Sequence, residues 1–409
     1  MNAIAIVACA IMSASMDQPS CEMALIFDPD KESHGHVHAS CIVACPNGDL
    51  RAVWYESGQE LPPPYFSKER DKSDDVRIGG SRKPKGGAAW DAPFVMADTF
   101  GVSDNNPCMV VDRDARLWLF HAVLLGVPEI SWTSALIRYH VSSAYDAPGP
   151  PKWDLENLLI AHPAGFEKAL EAGLTERGRN LSEEQREAGM KAREGRLKDP
   201  YKTRLGWMPR AHPIIRSDGA LMLPLANENF GFAAMAVTKD AGATWTIGEA
   251  VPDRGLQQPT VVEFSDKSMS AFFRNGNPAH RIQRSESKDG GMTWEPVTLT
   301  DLPHPGAGIE AILLKNDHET RSQVELGNEH LLMIYNDTEK ERDRLAVSIS
   351  EDRGKTWRWT RHLENTPGQR FDYPSIIQTP DGTLHATYSY NTKTIKYAHF
   401  NEAWVQQGD

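Results

Sequence analysis

One octapeptide recurs three times in this chain, with the pattern Ser/Thr-x-Asp-x-Gly-x-Thr-Trp. The copies occupy residues 238–245, 287–294 and 350–357, so their first residues are 49 and then 63 positions apart. Repeats at this spacing are typical of solenoids, propellers and arrays. Asp and Ser/Thr side chains close turns onto backbone amides, Gly accepts a positive φ, and Trp anchors a turn in an apolar layer. Each copy is therefore predicted to be a turn between two strands.

A second repeat consists of a polar residue, a Pro or small residue, and a run of apolar residues. Its six copies begin at His38, Asn106, His212, Gln258, Glu310 and Tyr373. In most copies a turn signal such as Asn47-Gly48 or Asp381-Gly382 follows, and then another apolar run, which is the pattern of a β-hairpin.

A four-stranded sheet cannot bury both of its faces alone. Six such sheets arranged in a closed ring cover one another's faces and leave only short protected edges. We therefore predict an all-β fold, a six-bladed β-propeller over residues 21–405. The octapeptides are expected in the outer-strand turns, and residues around 24–28 are expected to close the ring by joining the last blade.

The segment 163–202 interrupts the repeats. It is charged, poor in β-branched residues and rich in Ala, Glu, Lys and Arg. This composition predicts a short helical insertion with a helix start near Ser182. It is interpreted either as a solvated insertion between blades or as a lid over a ligand site.

The charge balance and the cysteines limit the class of protein. A formal net charge of -12 argues against nucleic acid and anionic membranes as partners, although a local arginine cluster can still hold an anion. The five cysteines form neither a disulfide framework nor a CxxC zinc pair, and Cys41 and Cys45 are predicted to be buried thiols. Nothing in the sequence indicates the oligomeric state.

Residues 1–20 are predicted to be a signal peptide or a disordered N-terminus. The apolar run 3–12 and the small residues after it resemble a signal peptide, but no Lys or Arg precedes the run. A cytoplasmic location is therefore favoured over export.

The first strand of each propeller blade lines the central axis, so the six polar residues that begin the second repeat are expected to converge there. Core positions would be apolar, which is why we interpret this ring as a ligand site; a polar, water-filled channel is the alternative. Arg210, Arg274 and Arg344 are expected near the same ring. Converging guanidiniums bind carboxylates, so the predicted ligand is an anion.

The sequence His34-Gly-His36-Val-His38 places three imidazoles on one face if it is extended, which could suit a metal. No carboxylate or cysteine lies at a diagnostic spacing from them. We therefore predict no metal and no cofactor, and a hydrogen-bonding or general-base role for His38.

Taken together, these repeats resemble the sialidase (neuraminidase) superfamily, whose octapeptides are called Asp-boxes or BNR repeats. The stretches 302–310 and 373–382 and the start His38-Ala-Ser are similar to the bacterial "predicted neuraminidase" branch. The resemblance covers nearly the whole chain outside 163–202. It implies a glycoside hydrolase acting on a terminal acidic sugar, with a Tyr nucleophile assisted by a Glu, an Asp acid/base and three carboxylate-clamping arginines.

The resemblance assigns roles to individual residues. Tyr373 matches the nucleophile and Asp75 matches the acid/base. Arg274 and Arg344 match the second and third clamp arginines, with Arg342 as a possible substitute for Arg344.

Two positions depart from the family pattern. His38 stands where the first clamp arginine is expected, and Gln258 stands where the assisting Glu is expected. Glu310, on the neighbouring blade, is the predicted replacement base for Tyr373. The remaining predicted substrate-binding residues are Arg210, His212 and Asn106.

Two other functions stay open at this point. One is a propeller polysaccharide lyase acting on uronic-acid glycans, with His38, His212 and Tyr373 as base and acid. The other is a non-catalytic glycan-binding propeller. In each case the expected partner is an acidic oligosaccharide or polysaccharide.

Overall fold

The computed structural model describes residues 18–57, 71–126, 131–163, 165–166, 182–275, 278–315 and 329–409. Within these ranges the strands, in chain order, are β1 Cys21–Leu25, β2 Val37–Ala44, β3 Leu50–Ser57, β4 Val76–Lys83, β5 Phe94–Ala97, β6 Ser103–Val111, β7 Leu117–Leu124, β8 Ala135–Ser142, β9 Leu155–Leu159, β10 Trp207–Pro209, β11 Ile214–Ile215, β12 Leu221–Asn227, β13 Phe232–Thr238, β14 Thr246–Ile247, β15 Leu256–Glu263, β16 Met269–Asn275, β17 Arg281–Ser287, β18 Thr298–Pro303, β19 Glu310–Leu313, β20 Leu331–Asn336, β21 Arg344–Ser350, β22 Trp359–Asn365, β23 Phe371–Gln378, β24 Leu384–Tyr390 and β25 Thr394–Phe400.

These strands form six antiparallel sheets, one for each blade of a propeller. The sheets are β2 to β5, β6 to β9, β10 to β14, β15 to β18, β19 to β22, and β23 to β25 with β1. The predicted six-bladed β-propeller is confirmed. Each predicted apolar start lies in the first strand of its blade, and the buried faces of neighbouring sheets pack together as the core.

The ring closes through an N-terminal strand. β1 pairs with β25 so that Cys21 lies opposite Phe400 and Leu25 lies opposite Lys396. The closing strand was predicted around residues 24–28 and lies slightly earlier in the chain. β1 is the outer strand of the last blade, so its hydrogen bonds to β25 join the N-terminal and C-terminal parts of the propeller.

The helices with bounds in the described ranges are α1 Glu183–Leu197, α2 Pro200–Arg204, α3 Glu402–Gln406 and the 3-10 helix Trp132–Ser134. The start of α1 is a capping box, because Ser182 Oγ accepts from the Gln185 amide at 3.2 Å and Gln185 Oε1 accepts from the Ser182 amide at 3.0 Å. This helix confirms the predicted helical insertion. No helix in these ranges is both long and apolar enough to cross a bilayer.

Two predictions concern parts of the chain outside the described residues. Most of the predicted N-terminal segment 1–20 falls within residues 1–17, and much of the insertion falls within residues 164 and 167–181. The lid interpretation of the insertion therefore stays a prediction.

Each octapeptide joins the third and fourth strands of its blade. In the second copy the Asp289 carboxylate accepts hydrogen bonds from Ser287 Oγ at 2.8 Å, the Thr293 amide at 3.0 Å and Thr293 Oγ1 at 2.6 Å. The same bonds recur around Asp240 and Asp352. Burial alone would raise the pKa of the Asp289 carboxyl, but these hydrogen bonds have the larger effect and lower it. The repeated sequence therefore builds one rigid turn three times.

The octapeptide glycines also determine how neighbouring blades meet. Their φ angles are +83°, +82° and +82°, a region that side chains rarely adopt. A Cβ atom on any of them would press against a side chain on the second strand of the preceding blade. The pairs are Gly242 with Trp118 at 3.1 Å, Gly291 with Met222 at 2.6 Å and Gly354 with Phe272 at 2.8 Å.

A matched pair of glycines tests this packing. Gly368 has a φ of +81°, almost that of Gly354, but a Cβ there would meet nothing within 4 Å. We expect Gly368→Ala to lower the free energy of unfolding by about 1–2 kcal/mol through backbone strain alone. Gly354→Ala should cost about 1–3 kcal/mol more because it also overpacks the contact with Phe272. Urea unfolding of both variants measures the difference; equal losses would mean that the blade contact adds nothing.

Candidate functional site

The site is built on an irregularity shared by the first strands of the blades. In β2, β6, β15 and β23 the pairing shifts by one residue, which marks a β-bulge. Each bulge holds a non-glycine residue with positive φ, and we call these four residues the bulge ring: Ala39 (56°), Asn106 (49°), Gln258 (45°) and Tyr373 (52°). Positive φ is a genuine outlier for a bulky aromatic residue, and such strain concentrates at functional sites.

Tyr373 lies at the centre of a set of converging polar groups. Its Oη accepts a hydrogen bond from Gln258 Nε2 at 3.2 Å and a second one from the Arg274 guanidinium. Arg274 also donates to Gln258 Oε1 at 3.2 Å, which fixes the orientation of the amide. The His38 ring lies over Tyr373, with 4.3 Å between ring centroids.

Three guanidinium groups surround the same aromatic ring. The Cζ atoms of Arg210, Arg274 and Arg342 lie 5.2, 5.6 and 5.8 Å from the Tyr373 centroid. Arg344, predicted as the third clamp residue, instead begins β21 as an exposed residue. The structure therefore places Arg342, not Arg344, in the position expected for that arginine.

Arg210 is closer to Tyr373 than expected for a surface cation, but it is not free to bind a ligand. It is 1% exposed, and its two terminal nitrogens donate to the carbonyls of Ser40 at 2.9 Å and Pro374 at 2.8 Å. These carbonyls follow the bulges of the first and last blades. Arg210 therefore ties the two bulges together.

A buried carboxylate that the sequence reasoning missed organises the other charges. Asp372 Oδ2 accepts from Arg342 at 2.8 Å and from Arg370 at 2.6 Å, and Oδ1 lies 3.3 Å from His38 Nδ1. His38 Nδ1 also lies 3.0 Å from Ser389 Oγ. Burial alone would raise the pKa of Asp372, but the charges of Arg342 and Arg370 outweigh it and hold the pKa low.

His38 does not replace the positive charge of the arginine expected at its position. Burial lowers the pKa of His38 to about 3, so the imidazole is neutral at physiological pH. The positive charges of Arg370 and Arg342 lower the pKa of this imidazole further. The positive charge around Asp372 therefore comes from Arg342 and Arg370 and not from His38.

Asp71 is a further acidic residue whose charge reaches this group, through Tyr55. After burial, the charge of Asp71 is the largest influence that raises the pKa of the Tyr55 phenol, and the Tyr55 ring meets His38 edge-on at 5.6 Å. The Asp71 carbonyl accepts from Asn105 Nδ2 at 2.7 Å.

Asp75 has a different environment. Its carboxylate accepts a hydrogen bond from the Ser73 hydroxyl. After burial, its charge is one of the causes that raise the pKa of Asp74 and of Asp98. In the described ranges no hydrogen bond or ion pair joins Asp75 to Tyr373 or His38.

Glu310 and His212 lie in a second ring, two residues further along the first strands than the bulge ring. We call this the inner ring: Cys41, Cys108, His212, Thr260, Glu310 and Ser375. Several of its side chains accept a backbone amide of the next blade. The pairs are Cys41 with Met109 at 3.2 Å, Thr260 with Ala311 at 3.0 Å, Glu310 with Ile376 at 2.9 Å and Ser375 with Ile42 at 3.1 Å.

The expected contact between Glu310 and Tyr373 is therefore not formed. Glu310 bonds to His212 Nδ1 and to the Ile376 amide, and its side chain is 2% exposed. His212 faces Glu310 and the Ile42 carbonyl, 2.6 Å from Nε2. The six sequence positions were predicted to share one level. Asn106, Gln258 and Tyr373 lie in the bulge ring, His212 and Glu310 lie in the inner ring, and His38 lies one residue before the bulge ring.

The remaining predicted positions also have defined surroundings. Asn106 is 4% exposed, and its Nδ2 lies 3.4 Å from Met208 Sδ. His34 pairs with Glu56 at 3.0 Å and does not share a centre with His38. Within the described ranges, no group of three or more His, Cys, Asp or Glu side chains is arranged to hold a metal ion.

Comparison with known proteins agrees with the fold and the octapeptides. The sequence model of the BNR repeat-like domain matches residues 59–386, most of the chain. The chain belongs to the BNR-repeat family of the sialidase superfamily.

Two curated sialidases are similar to parts of this BNR-repeat chain. The sialidase of Paraclostridium sordellii is 29% identical over 130 residues, which is 29% of this chain and 32% of that protein. The sialidase of Clostridium perfringens is 25% identical over 184 residues, which is 39% of this chain and 48% of that protein. The chain thus matches between a third and a half of the length of these relatives.

Solved structures of low sequence identity share the propeller fold. The Hadza microbial sialidase Hz136 superposes with a TM-score of 0.67 at 16% identity, covering 94% of this chain and 69% of that one. The intramolecular trans-sialidase of Ruminococcus gnavus superposes with a TM-score of 0.64 at 13% identity, covering 91% and 96%. A protein of unknown function from Dyadobacter fermentans reaches 0.65 at 13% identity, covering 93% and 98%.

Four polar residues around the site of this BNR-repeat chain were missed by sequence reasoning: Asp71, Glu228, Arg370 and Asp372. Arg370 and Asp372 alternate along the strand that leads into Tyr373, a signal that could have pointed to them. Glu228 follows β12 and accepts from Gln257 Nε2 at 3.3 Å, and burial raises its pKa despite the nearby charge of Arg274. No pattern in the sequence distinguishes Asp71 or Glu228 from other loop carboxylates.

Proposed function

We propose that this chain is a sialidase-like glycoside hydrolase that removes a terminal acidic sugar from a glycan, with Tyr373 as the nucleophile. The observation that carries this proposal is the set of groups at the Tyr373 phenol. A strained backbone aims the phenol into a basic site, and two N–H donors converge on its oxygen. A purely structural tyrosine needs neither feature.

The geometry supports a double-displacement reaction. Tyr373 reacts as the phenolate, after its hydroxyl proton has passed to water. Oη attacks the anomeric carbon and the glycosidic C–O bond breaks, while a carboxylic acid, Asp71 in this proposal, protonates the departing glycosidic oxygen. Water then breaks the glycosyl–tyrosine bond, and the same carboxylate takes a proton from that water. The donors from Gln258 and Arg274 would stabilise the phenolate as it leaves. Since Gln258 cannot take a proton, the attack relies on the charge of Arg274 rather than on a paired carboxylate.

The charge of the site favours an anionic sugar. Arg274, Arg342 and Arg370 contribute three positive charges close to Tyr373 and Asp372. Arg342 is already occupied by Asp372 and by the Gly306 carbonyl at 2.8 Å. Arg370 is 49% exposed in its side chain and uses only Nε for Asp372, so it retains donors for a ligand. We therefore assign the substrate carboxylate to Arg274 and Arg370.

A matched pair of arginine variants tests the role of Arg370. Arg370→Gln is expected to raise KM for the acidic substrate about 10-fold or more with little change in kcat, since one charge-assisted hydrogen bond is lost. Arg344→Gln removes an exposed arginine two residues beyond Arg342 and should change KM less than about twofold.

The methyl ester of the same substrate serves as the control ligand. Because it carries no carboxylate charge, Arg370→Gln should affect the ester much less than the acid. Equal effects on acid and ester, or an equal effect of Arg344→Gln, would contradict the assignment.

The experiment that tests the function itself is incubation of the purified chain with a panel of sialyl, glucuronyl and ulvan-type glycans. Products are read by mass and by ultraviolet absorbance together. Cleavage with the gain of one water supports the hydrolase. Absence of cleavage across the panel would favour a glycan-binding protein.

One observation favours the lyase as a second candidate function. The neutral His38 imidazole has Nδ1 3.3 Å from Asp372, and its ring is tilted by 57° against that of Tyr373 with 4.3 Å between centroids, so it can accept a proton beside a phenol. His212, which the lyase hypothesis also used, faces Glu310 instead. A product with the absorbance of an unsaturated uronide and no gain of water would support this candidate.

A further inference from the structure

Arg210 and Ala211, which follow β10, bind the backbone of three other blades at their bulges. The carbonyls that accept are those of the residues directly after three members of the bulge ring: Ser40, Pro259 and Pro374. The Arg210 guanidinium donates to the first and the last of them, and the Ala211 amide donates to the Pro259 carbonyl at 2.9 Å. A bulge interrupts the hydrogen-bond ladder of its strand, so a buried carbonyl beside it needs a partner from elsewhere. Residues 210 and 211 supply that partner.

The charge of Arg210 is buried without a counter-ion. In the part of the chain that the structure describes, Arg210 forms no ion pair, and its Nε is buried without a hydrogen-bond partner. Burying a charge in this way costs stability. The group that faces the guanidinium is the ring of Tyr373, whose centroid lies 5.2 Å from Cζ. Further charged or titratable groups around this ring are His38, Tyr55, Arg274, Arg342, Arg370 and Asp372.

A cation against the face of a tyrosine ring attracts the phenolate more strongly than the neutral phenol. Ionisation spreads negative charge from Oη into the ring, so a contact between a cation and a neutral ring becomes an attraction between opposite charges. Tyr373 is 8% exposed, so water screens this attraction little. Because Gln258 cannot take a proton, the phenolate has to be stabilised by charges already in place. Arg274 supplies one at Oη, and Arg210 supplies one at the ring.

We propose that Arg210 is the positioning residue that makes Tyr373 reactive: it holds the bulge that carries the phenol, and its charge stabilises the phenolate. The inference rests on the proposed function, in which Tyr373 is the nucleophile. On ionisation the O–H bond of the phenol breaks and the proton passes to water, while Arg210 keeps all of its protons. Arg210 does not bind the substrate, because both of its terminal nitrogens are held by carbonyls.

Arg51 is a matched control for Arg210. Both side chains are 1% exposed. Arg51 also donates to backbone carbonyls of another blade, those of Tyr145, Ala147 and Gly149. Its Cζ likewise lies over an aromatic ring, 5.9 Å from the centroid of Phe94. Replacing Arg51 therefore removes the same kind of contacts without touching Tyr373.

The first test measures the phenolate directly and needs no substrate. Tetranitromethane nitrates tyrosines as phenolates, and fragment-ion mass spectrometry gives the rate for each tyrosine of the full chain. The pH at which nitration of Tyr373 reaches half of its maximal rate is expected to rise by about one unit or more in Arg210→Met. It should move much less in Arg210→Lys, which keeps the charge, and should not move in Arg51→Met. Near-ultraviolet circular dichroism confirms that each variant is folded.

The second test measures glycan cleavage by the same three variants. In Arg210→Met, kcat should fall about 10-fold or more with little change in KM, because the lost group acts on the nucleophile and not on the substrate. Arg210→Lys keeps the charge but loses the forked pair of donors, so its kcat should lie between those of Arg210→Met and the native chain. Arg51→Met should keep the native kcat even where its melting temperature falls as far.

An unchanged nitration midpoint of Tyr373 in folded Arg210→Met would overturn the proposal, whether or not the native chain cleaves a glycan. An equal loss of kcat in Arg51→Met would also overturn it, since packing alone would then explain the loss. If neither Arg210 variant folds, the native chain decides: a midpoint for Tyr373 no lower than that of Tyr201, which is 75% exposed, would overturn the proposal. The expected shift without any glycan cleavage would support the role of Arg210 and count against the hydrolase alone.

Discussion

Tyr373→Phe is expected to reduce glycoside cleavage by at least about 10³-fold, because it removes the nucleophilic oxygen. The variant keeps the aromatic ring and its contacts with His38 and the surrounding guanidiniums. Substrate binding should therefore survive, so kcat is lost while KM changes little. Steady-state kinetics on the best substrate of the glycan panel measures both constants.

Tyr388→Phe is the matched control for this variant. Tyr388 lies in the same blade, is fully buried, and donates its hydroxyl to Glu364 at 2.7 Å. Its replacement should lower stability by about 1 kcal/mol through the lost hydrogen bond and leave kcat nearly unchanged. If Tyr373→Phe kept more than a tenth of the native rate, the nucleophile would have to be another group.

The second large effect is expected at Asp71. If Asp71 is the proton donor, Asp71→Asn should lower kcat/KM about 10²–10⁴-fold, the usual contribution of general acid–base catalysis. Asp75→Asn should cost less than about threefold, because the Asp75 carboxylate accepts from the Ser73 hydroxyl and has no hydrogen bond or ion pair to Tyr373 or His38 in the described ranges. Initial rates of the two variants on the same glycan give the comparison.

An aryl glycoside sharpens this test. A good leaving group needs no protonation, so the loss in Asp71→Asn should shrink on such a substrate, whereas a loss caused by misfolding would persist. The reverse ranking, with Asp75→Asn inactive, would support the assignment that the sequence resemblance made.

Most of the architecture could be predicted from the sequence because each turn and each first strand is specified by a short pattern of residues that recurs along the chain. The octapeptide specifies an Asp side chain, a Gly with positive φ and a Trp at fixed offsets, and the three turns have matching hydrogen bonds. The six apolar starts mark six first strands. Each of these signals lies within a few residues of chain.

The site could be predicted only in part, because its members come from different blades. Tyr373, Gln258 and Arg274 were predicted near one another, and the structure brings them into contact. Arg342 was named only as a substitute for Arg344, yet it is the arginine at Tyr373.

The sequence by itself determined the number of blades, the turns and the three residues at the phenol. Only the tertiary structure decided that His212 and Glu310 leave the site and that Arg370 and Asp372 enter it. The physical reason is the β-bulges. One extra residue in a first strand shifts the position of each later side chain along the central axis, and the alternation of apolar and polar residues in the sequence does not reveal that shift. Asp71 lies in a loop, where no strand periodicity predicts the direction of a side chain, so the direction of its carboxylate depends on the fold around it.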